Sequence, residues 1–381
     1  MDFELTEEMR MLKDMTYKFA QTEIAPVAEE CDREEKYTPE IRKKAAENGL
    51  VASWVPEEYG GSGVGMLGNC LVTEELSRVD MGIGCNIVTA CFGCENIYLS
   101  GSEEQKKKYL PPVCAGEQVC AGAYTEPNAG TDVAGYKTRA VKDGNDYIIN
   151  GNKMFITNAT VCDFMVVACI TDPDAKKAHQ SFSLIIVPAH AEGVTSTKIH
   201  GKLGIRASST GEVAYEDVRV PQENVIGKEG AGFYQLMHFF DTTRTMVSAQ
   251  AVGLSQACLD ESIKYAKERT AFGTPIGNFQ LIQMKLAEMA IKVEALRNIT
   301  YKAAWLIDEG RPDFTLAAMS KYLGGETATF CANAALQIHG GYGYVEEYPV
   351  QRWYRDAKIL DIYEGTREAE IMTIGRVLMS E

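Results

Sequence analysis

Hydrophobic residues recur every three or four positions along the first third of the chain, from Leu5 to about Val113. That spacing predicts amphipathic helices, because it places the apolar side chains on one face of each helix. A glycine-rich stretch at residues 55–65, VPEEYGGSGVG, interrupts the pattern and predicts a loop. The first third is therefore predicted to be a helical domain.

From about Ala121 the pattern changes to short, alternating runs that are rich in β-branched residues and separated by Gly, Asn and Asp. Such runs are typical of strands in a sheet with one buried face. The predicted strands lie at residues 147–150, 164–171, 182–187 and 212–220. After Pro221 the helical spacing returns, and it predicts long helices at residues 230–267, 280–309, 313–338 and 366–379.

This order predicts an α+β protein of three domains: an N-terminal helical domain (1–120), a central β-barrel or sandwich (121–230) and a C-terminal four-helix bundle (231–381). A doubly wound dinucleotide-binding sheet is disfavoured, because the βαβ alternation is missing and no G-x-G-x-x-G opens a helix after a strand. A nicotinamide-dependent dehydrogenase is therefore a weak alternative.

Charge and cysteine content narrow the function further. The net charge of −15 disfavours a nucleic-acid or anionic-membrane surface, and no run approaches the length of a membrane-spanning helix. The first residues carry neither an Arg-rich nor an apolar leader, and eleven scattered cysteines suit a reducing compartment, so we expect a cytoplasmic protein. Cys91 and Cys94 have C-x-x-C spacing but no second pair, which favours packed helix residues over a metal or redox site. We predict no metal.

Seven short motifs follow one another along the chain. They are YTEPNAGTDVAG at 124–135, KMFITN at 153–158, ERTAFG at 268–273, QIHGGYG at 337–343, EYP at 347–349, RDAK at 355–358 and YEGT at 363–366. In this order they closely resemble the signature stretches of the acyl-CoA dehydrogenase family. The resemblance spans most of the chain and implies a flavoprotein that binds FAD and dehydrogenates an acyl-CoA thioester.

In that resemblance Glu364 is the base that removes the α-proton, while flavin N5 takes the β-hydride. A thioester α-proton is too weakly acidic for a carboxylate in water, so such a base needs a water-poor pocket and a polarised carbonyl. The setting of Glu364 agrees, since it follows the largely apolar residues 359–363 and precedes Gly365. From the residues alone, a surface glutamate that caps the following helix is equally typical.

The resemblance also implies the ligand contacts. Each contact residue has a structural alternative: Thr125 and Thr157 suit any strand, Arg269 a solvated helix, and Gly340 with Gly341 a turn. Arg269 would meet the pyrophosphate, and the glycine pair would approach the adenosine half from a neighbouring subunit, which implies a homotetramer. The implied flavin contacts are Tyr124, Thr125, Phe155, Thr157, Arg269, Phe272, Gln280, Gln337, Gly340, Gly341, Thr366 and Glu368.

The implied substrate contacts lie on three segments. Arg244 would supply the local positive charge for CoA, although its spacing from Asp241 equally suits an ion pair on a helix surface. The acyl pocket would be lined by a helix at about residues 84–95. Ile83 stands where relatives that bind a dicarboxylic acyl group have Arg, which disfavours a distal carboxylate. The small residues Ala90 and Cys91 would widen the pocket. We therefore expect a short, branched or alicyclic acyl group such as a cyclohexanecarboxyl group. The substrate contacts are Thr131, Asp241, Arg244, Cys91, Tyr363 and Gly365.

Several alternatives stay open on the same fold. One is 1,4-dehydrogenation of a cyclic enoyl-CoA, for which a related enzyme uses an acidic residue near the position of Cys91. The others are an acyl-CoA oxidase, a desulfinase and a catalytically silent acyl-CoA-binding protein. For a dehydrogenase, the expected electron acceptor is an electron-transferring flavoprotein.

Overall fold

The structure is a computed structural model that describes residues 4–380. Residues 1–3, at the start of the first predicted domain, and residue 381, at the end of the third, lie outside the described residues. Within residues 4–380, no helix is both long and apolar enough to cross a membrane.

The N-terminal part consists of helices, as predicted. A π-helical turn at Ala20–Ile24 follows α1, and a capping box in which Ser102 and Gln105 bond each other's backbone N–H starts α7. The helices are α1 (Glu7–Phe19), α2 (Ala28–Glu34), α3 (Pro39–Glu47), α4 (Gly65–Val79), α5 (Met81–Val88), α6 (Cys94–Ser100) and α7 (Glu103–Cys114).

One helical prediction is wrong. Residues 84–95 do not form a single helix, because α5 ends at Val88 and α6 begins at Cys94. Gly93 between them has φ 109°, a left-handed conformation that ends the helical path. Cys91 lies in the intervening turn, where its backbone forms an isolated β-bridge with the backbone of Cys120. The C-x-x-C pair therefore does not lie on one helix.

The middle of the chain is one curled sheet of seven strands. Strand β4 pairs β5 along one edge, and its other edge pairs β1 near its start and β2 at its end. From there the order continues β2-β3-β7-β6. The strands are β1 (Cys120–Ala123), β2 (Arg139–Asp143), β3 (Asp146–Thr157), β4 (Phe164–Ile170), β5 (Phe182–Pro188), β6 (Val194–Lys198) and β7 (Thr210–Pro221).

The C-terminal part is helical and is built around α8, whose 37 residues extend for about 55 Å at the usual helical rise. α8 packs on α4 of the N-terminal part and on α9 and α10 of its own bundle. This central helix therefore places residues of both helical parts around a common interior. The helices are α8 (Gly232–Glu268), α9 (Gln280–Asp308), α10 (Phe314–His339), α11 (Val350–Ala357) and α12 (Arg367–Leu378), with a small hairpin of β8 (Thr270–Ala271) and β9 (Thr274–Pro275).

Candidate active site

Glu364 lies in a tight turn between a 3-10 turn at Lys358–Asp361 and α12. Its backbone has φ 55°, and Gly365 follows with φ 103°. A left-handed conformation costs a non-glycine residue about 1–2 kcal/mol, and such strain is concentrated at functional sites. The cap of α12 is Thr366, whose hydroxyl accepts from the Ala369 N–H, so Glu364 is not the capping residue.

The Glu364 carboxylate is surrounded by polar groups from three helices. The Thr243 hydroxyl on α8 donates to Glu364 Oε2 at 2.5 Å. Burial raises the pKa of Glu364, whereas the Thr243 hydrogen bond and the cations Arg244 and Lys321 lower it and Glu370 raises it. A carboxylate with a raised pKa is more basic than one in water, which suits abstraction of a weakly acidic proton.

Arg244 is already paired. Its Nε lies 3.1 Å from Glu370 Oε1, and its Nη1 lies 3.5 Å from Asp241 Oδ1. The ion pair with Asp241 that the spacing allowed is therefore present. Because Glu370 is completely buried beneath the turn, the charge of Arg244 acts mainly on the carboxylate cluster around Glu364.

An aromatic wall formed by Phe92, Tyr124, Phe239 and Phe240 lies near this cluster. Phe239 is central, with ring centroids 5.0 Å from Phe92, 5.3 Å from Tyr124 and 5.5 Å from Phe240. Burial raises the pKa of Tyr124, and the charges of nearby Glu95 and Glu364 add to this rise. The wall gives the site the apolar, water-poor surroundings that a raised carboxylate pKa requires. The sequence motifs did not indicate Phe92 or Phe239.

Two predicted substrate contacts are anchored on the protein itself. The Tyr363 hydroxyl donates to Gln250 Oε1 on α8 at 2.5 Å, which fixes the residue that precedes Glu364. Cys91 is 1% exposed and its thiol points to the Val88 carbonyl at 3.5 Å. Burial raises the pKa of the Cys91 thiol well above its usual value, so this side chain is an unreactive packing group. Thr131 lies on an exposed loop.

The predicted flavin contacts on the β domain come together. The Met154 N–H donates to the Thr125 carbonyl at 2.9 Å, which ties the loop after β1 to β3. Phe155 occupies a bulge between β3 and β7, has φ 60° and is 65% exposed. The nearby Thr125 and Thr157 are half-buried, and their hydroxyls have no hydrogen-bond partner within residues 4–380. An exposed flat ring beside two such hydroxyls fits one face of an isoalloxazine ring.

Most of the remaining predicted flavin contacts lie around the β8–β9 hairpin and the 3-10 turn after α10, whereas Thr366 and Glu368 follow Glu364 at the start of α12. The Arg269 guanidinium lies 5.6 Å from the ring centroid of Tyr342, in the 3-10 turn that contains Gly340 and Gly341. Phe272 on the adjacent hairpin is 98% exposed. An exposed guanidinium beside apolar rings fits a pyrophosphate and an adenine. Gln280, Gln337 and Glu368 are exposed, and Thr366 caps α12.

The sequence matches family profiles along almost all of its length. Residues 6–117 match the N-terminal domain of acyl-CoA dehydrogenase, residues 121–218 its middle domain and residues 230–379 its C-terminal domain. The chain belongs to the acyl-CoA dehydrogenase family. It is therefore an FAD-dependent oxidoreductase, and the predicted fold class is confirmed.

Relatives of known name or structure cover the whole chain. The acryloyl-CoA reductase (NADH) of Anaerotignum propionicum is 43% identical over all of this chain and 96% of its own. A chain in the structure described as the electron transferring flavoprotein of Acidaminococcus fermentans is 42% identical, with a TM-score of 0.97. The butyryl-CoA dehydrogenase of Megasphaera elsdenii is 39% identical, with a TM-score of 0.95. Both structural matches cover 100% of each chain.

Proposed function

We propose that this acyl-CoA dehydrogenase removes hydrogens from the α and β carbons of a short, branched or alicyclic acyl-CoA, with Glu364 as the base. The observation that carries the proposal is a carboxylate with a raised pKa in a strained turn beside an aromatic wall. When bound, FAD supplies the acceptor for the β-hydride. Glu364 holds the α-proton on its carboxylate after transfer.

The same turn offers a donor to the thioester. Within residues 4–380, the backbone N–H of Glu364 has no hydrogen-bond acceptor, although the residue is half-buried. A fixed N–H of this kind stabilises negative charge that develops on a thioester oxygen as the α-proton leaves. Base and oxyanion donor thus belong to one residue, and the Phe92–Tyr124–Phe239 wall keeps water away from both.

The substrate class is inferred from the residues of the predicted pocket. Ile83 and Ala90 are both 0% exposed, and no Arg or Lys lies between Arg78 and Lys106, so a distal carboxylate would lack a cation. Similarity to a butyryl-CoA dehydrogenase supports a short acyl group. Small side chains at Ala90 and Cys91 leave width for a branched or cyclic one.

An anaerobic titration of the holoenzyme with acyl-CoA thioesters tests the substrate class. We expect butyryl-CoA, isobutyryl-CoA or cyclohexanecarboxyl-CoA to bleach the flavin, and glutaryl-CoA and palmitoyl-CoA to do so at least about tenfold more slowly, because a buried unpaired charge or an overlong chain costs more than 1.4 kcal/mol. Faster bleaching by glutaryl-CoA would contradict the pocket assignment. Adding the matching enoyl-CoA to the reduced enzyme tests the reverse direction, which the reductase relative makes an alternative.

A second candidate, 1,4-dehydrogenation of a cyclic enoyl-CoA, has one observation in its favour. Glu95 is 4% exposed and accepts from the Gly93 N–H at 2.9 Å. Burial raises the pKa of Glu95 to about 7, and the charge of Glu364 adds to this rise. Glu95 is thus a second carboxyl group near the base that can take a proton from a ring carbon distant from the thioester. Flavin bleaching by cyclohex-1-ene-carboxyl-CoA that is lost in Glu95→Gln would favour this candidate.

The limiting rate of flavin reduction should rise with pH. Glu364 must be ionised to accept the α-proton, and because burial raises its pKa, we expect a midpoint above about 4.3, the ordinary glutamate value. Stopped-flow reduction between pH 4 and 9 measures this midpoint. Glu294→Gln, which neutralises a glutamate that is 66% exposed on the surface of α9, is the matched control and should leave the midpoint unchanged. A midpoint at or below about 4.3 in a fully flavinylated enzyme would contradict the assignment.

We infer that Arg269 and the Gly340–Gly341 turn reach one flavin from the same subunit, because the Arg269 guanidinium lies beside Tyr342 in that turn. A flavin shared with another subunit agrees with the predicted homotetramer, which is further supported by exposed Leu281, Met284 and Ile291 along α9.

Similarity to the flavoprotein structure supports an electron-transferring flavoprotein as acceptor. All eleven cysteines are free and buried, in agreement with a reducing, cytoplasmic location.

A further inference from the structure

Lys321 is a buried cation that the proposed reaction does not use directly. It lies about two turns into α10 and is 1% exposed, and its ammonium donates to the Gly365 carbonyl. A buried ammonium is costly unless it is paired with charges or hydrogen-bond acceptors. Its acceptor here is the backbone of the turn that carries Glu364, which is 43 residues further along the chain (364 − 321).

We propose that Lys321 is a positioning residue: its ammonium, held on the Gly365 carbonyl, fixes the left-handed turn that presents the Glu364 carboxylate and backbone N–H. The inference rests on the proposed function of Glu364. It assigns to α10 a role in the reaction that no sequence motif indicates.

The turn needs such support because both of its residues have positive φ. The Thr243 hydroxyl holds the carboxylate of Glu364, but it does not restrain the peptide plane after Gly365, whose carbonyl accepts from Lys321. Gly365 has φ 103°, a conformation that other residues rarely adopt, so this position favours glycine, the residue that restrains a backbone least. The Lys321 hydrogen bond supplies the restraint that the glycine cannot.

The charge of Lys321 acts on the same cluster. Burial lowers the pKa of Lys321 to about 8, while Glu370, Glu364 and Asp361 raise it and Arg244 lowers it. Glu364 in turn faces Thr243 and Arg244 from α8, Lys321 from α10 and Glu370 from α12. Lys321 is thus one of two cations that keep the base ionised against its burial and against the neighbouring carboxylate.

Further charges border this cluster. Asp361 is itself bonded by Lys358, at 2.9 Å, and Arg367 is close to it. Asp241 pairs with Arg244, and the charge of Glu95 acts on Tyr124. None of these residues is altered in the Lys321 variants that test the proposal.

Two variants separate the hydrogen bond from the charge. Lys321→Met removes both, whereas Lys321→Gln keeps an N–H donor and loses the charge. In single-turnover reduction of the holoenzyme by the best acyl-CoA, we expect Lys321→Met to lower the limiting rate at least about tenfold and Lys321→Gln to lower it less. Both should move the midpoint of the pH–rate profile to higher pH, because a carboxylate that loses a neighbouring cation ionises less readily. The Kd for acyl-CoA should change less than about threefold.

Lys142→Met is the matched control, since Lys142 makes an exposed 2.8 Å pair with Glu229 away from the helical bundle. Flavin content and thermal midpoint are measured for every variant. The proposal is overturned if Lys321→Met keeps the wild-type rate and pH midpoint, or if it loses rate only in proportion to lost flavin with the midpoint unmoved. Failure of the wild-type enzyme to be reduced by any acyl-CoA would instead overturn the proposed function.

Discussion

Replacement of Glu364 by Gln should lower the limiting rate of flavin reduction by about 10²–10⁴-fold, the usual contribution of a general base. Gln keeps the size of the side chain and can still accept the Thr243 hydrogen bond, but it cannot take a proton from the α-carbon. The measurement is anaerobic stopped-flow mixing of the variant with the best acyl-CoA, followed at the visible flavin band.

The control is Glu294→Gln, which neutralises a glutamate that is 66% exposed and paired with Arg297. This variant should be reduced at the wild-type rate, because surface ion pairs contribute little. The flavin spectrum of Glu364→Gln should match that of the wild type. A Glu364→Gln enzyme that binds flavin fully and is reduced within threefold of the wild-type rate would show that another group is the base.

Replacement of Lys153 by Met should lower the free energy of unfolding by about 3–5 kcal/mol, because the buried Glu126 carboxylate loses its cation and keeps only the Lys137 and Thr138 donors. Lys153 is 0% exposed and donates to Glu126 Oε1 and to the Tyr124 carbonyl, both at 2.9 Å. It also lies 4.4 Å from the ring centroid of Tyr136. Since Tyr124 precedes the predicted flavin contact Thr125, the variant should also release FAD more readily. Denaturant unfolding and flavin fluorescence measure the two effects.

Lys142→Met provides the comparison, since Lys142 forms a 2.8 Å pair with Glu229 in which both side chains are well exposed. Its unfolding free energy should change by less than about 1 kcal/mol. Adding Glu126→Gln to Lys153→Met should restore part of the lost stability by removing the unpaired charge. Equal losses in Lys142→Met and Lys153→Met would rule out a special role for the buried pair.

The long helices were predictable because their periodic patterns extend over many turns. The predicted helix at residues 280–309 corresponds to Gln280–Asp308, and the one at 313–338 to Phe314–His339. The break between α5 and α6 was not predictable in the same way. Residues on both sides of it are buried whether they are apolar or polar, as Asn86 and Glu95 are, so the hydrophobic pattern contains no exposed polar face whose interruption would show where the helix ends.

The site could be predicted only where its residues form local motifs. The YEGT motif indicated Glu364, and KMFITN indicated the exposed Phe155 and its neighbours. Thr243, Lys321 and Glu370 were missed because they reach the base from three different helices, and their contacts with residues 364 and 365 depend on how those helices pack. No spacing in the sequence records that packing.

Single-turnover reduction with butyryl-CoA deuterated at the α or at the β carbon tests the central claim most directly. Removal of an α-proton by Glu364 and of a β-hydride in the same step predicts that each deuteration slows flavin bleaching and that the product is the 2-enoyl-CoA. If butyryl-CoA and its branched and cyclic analogues all leave the flavin oxidised, or if bleaching proceeds with no isotope effect at the α-carbon in either the wild-type or Lys321→Met enzyme, the account of this site is wrong.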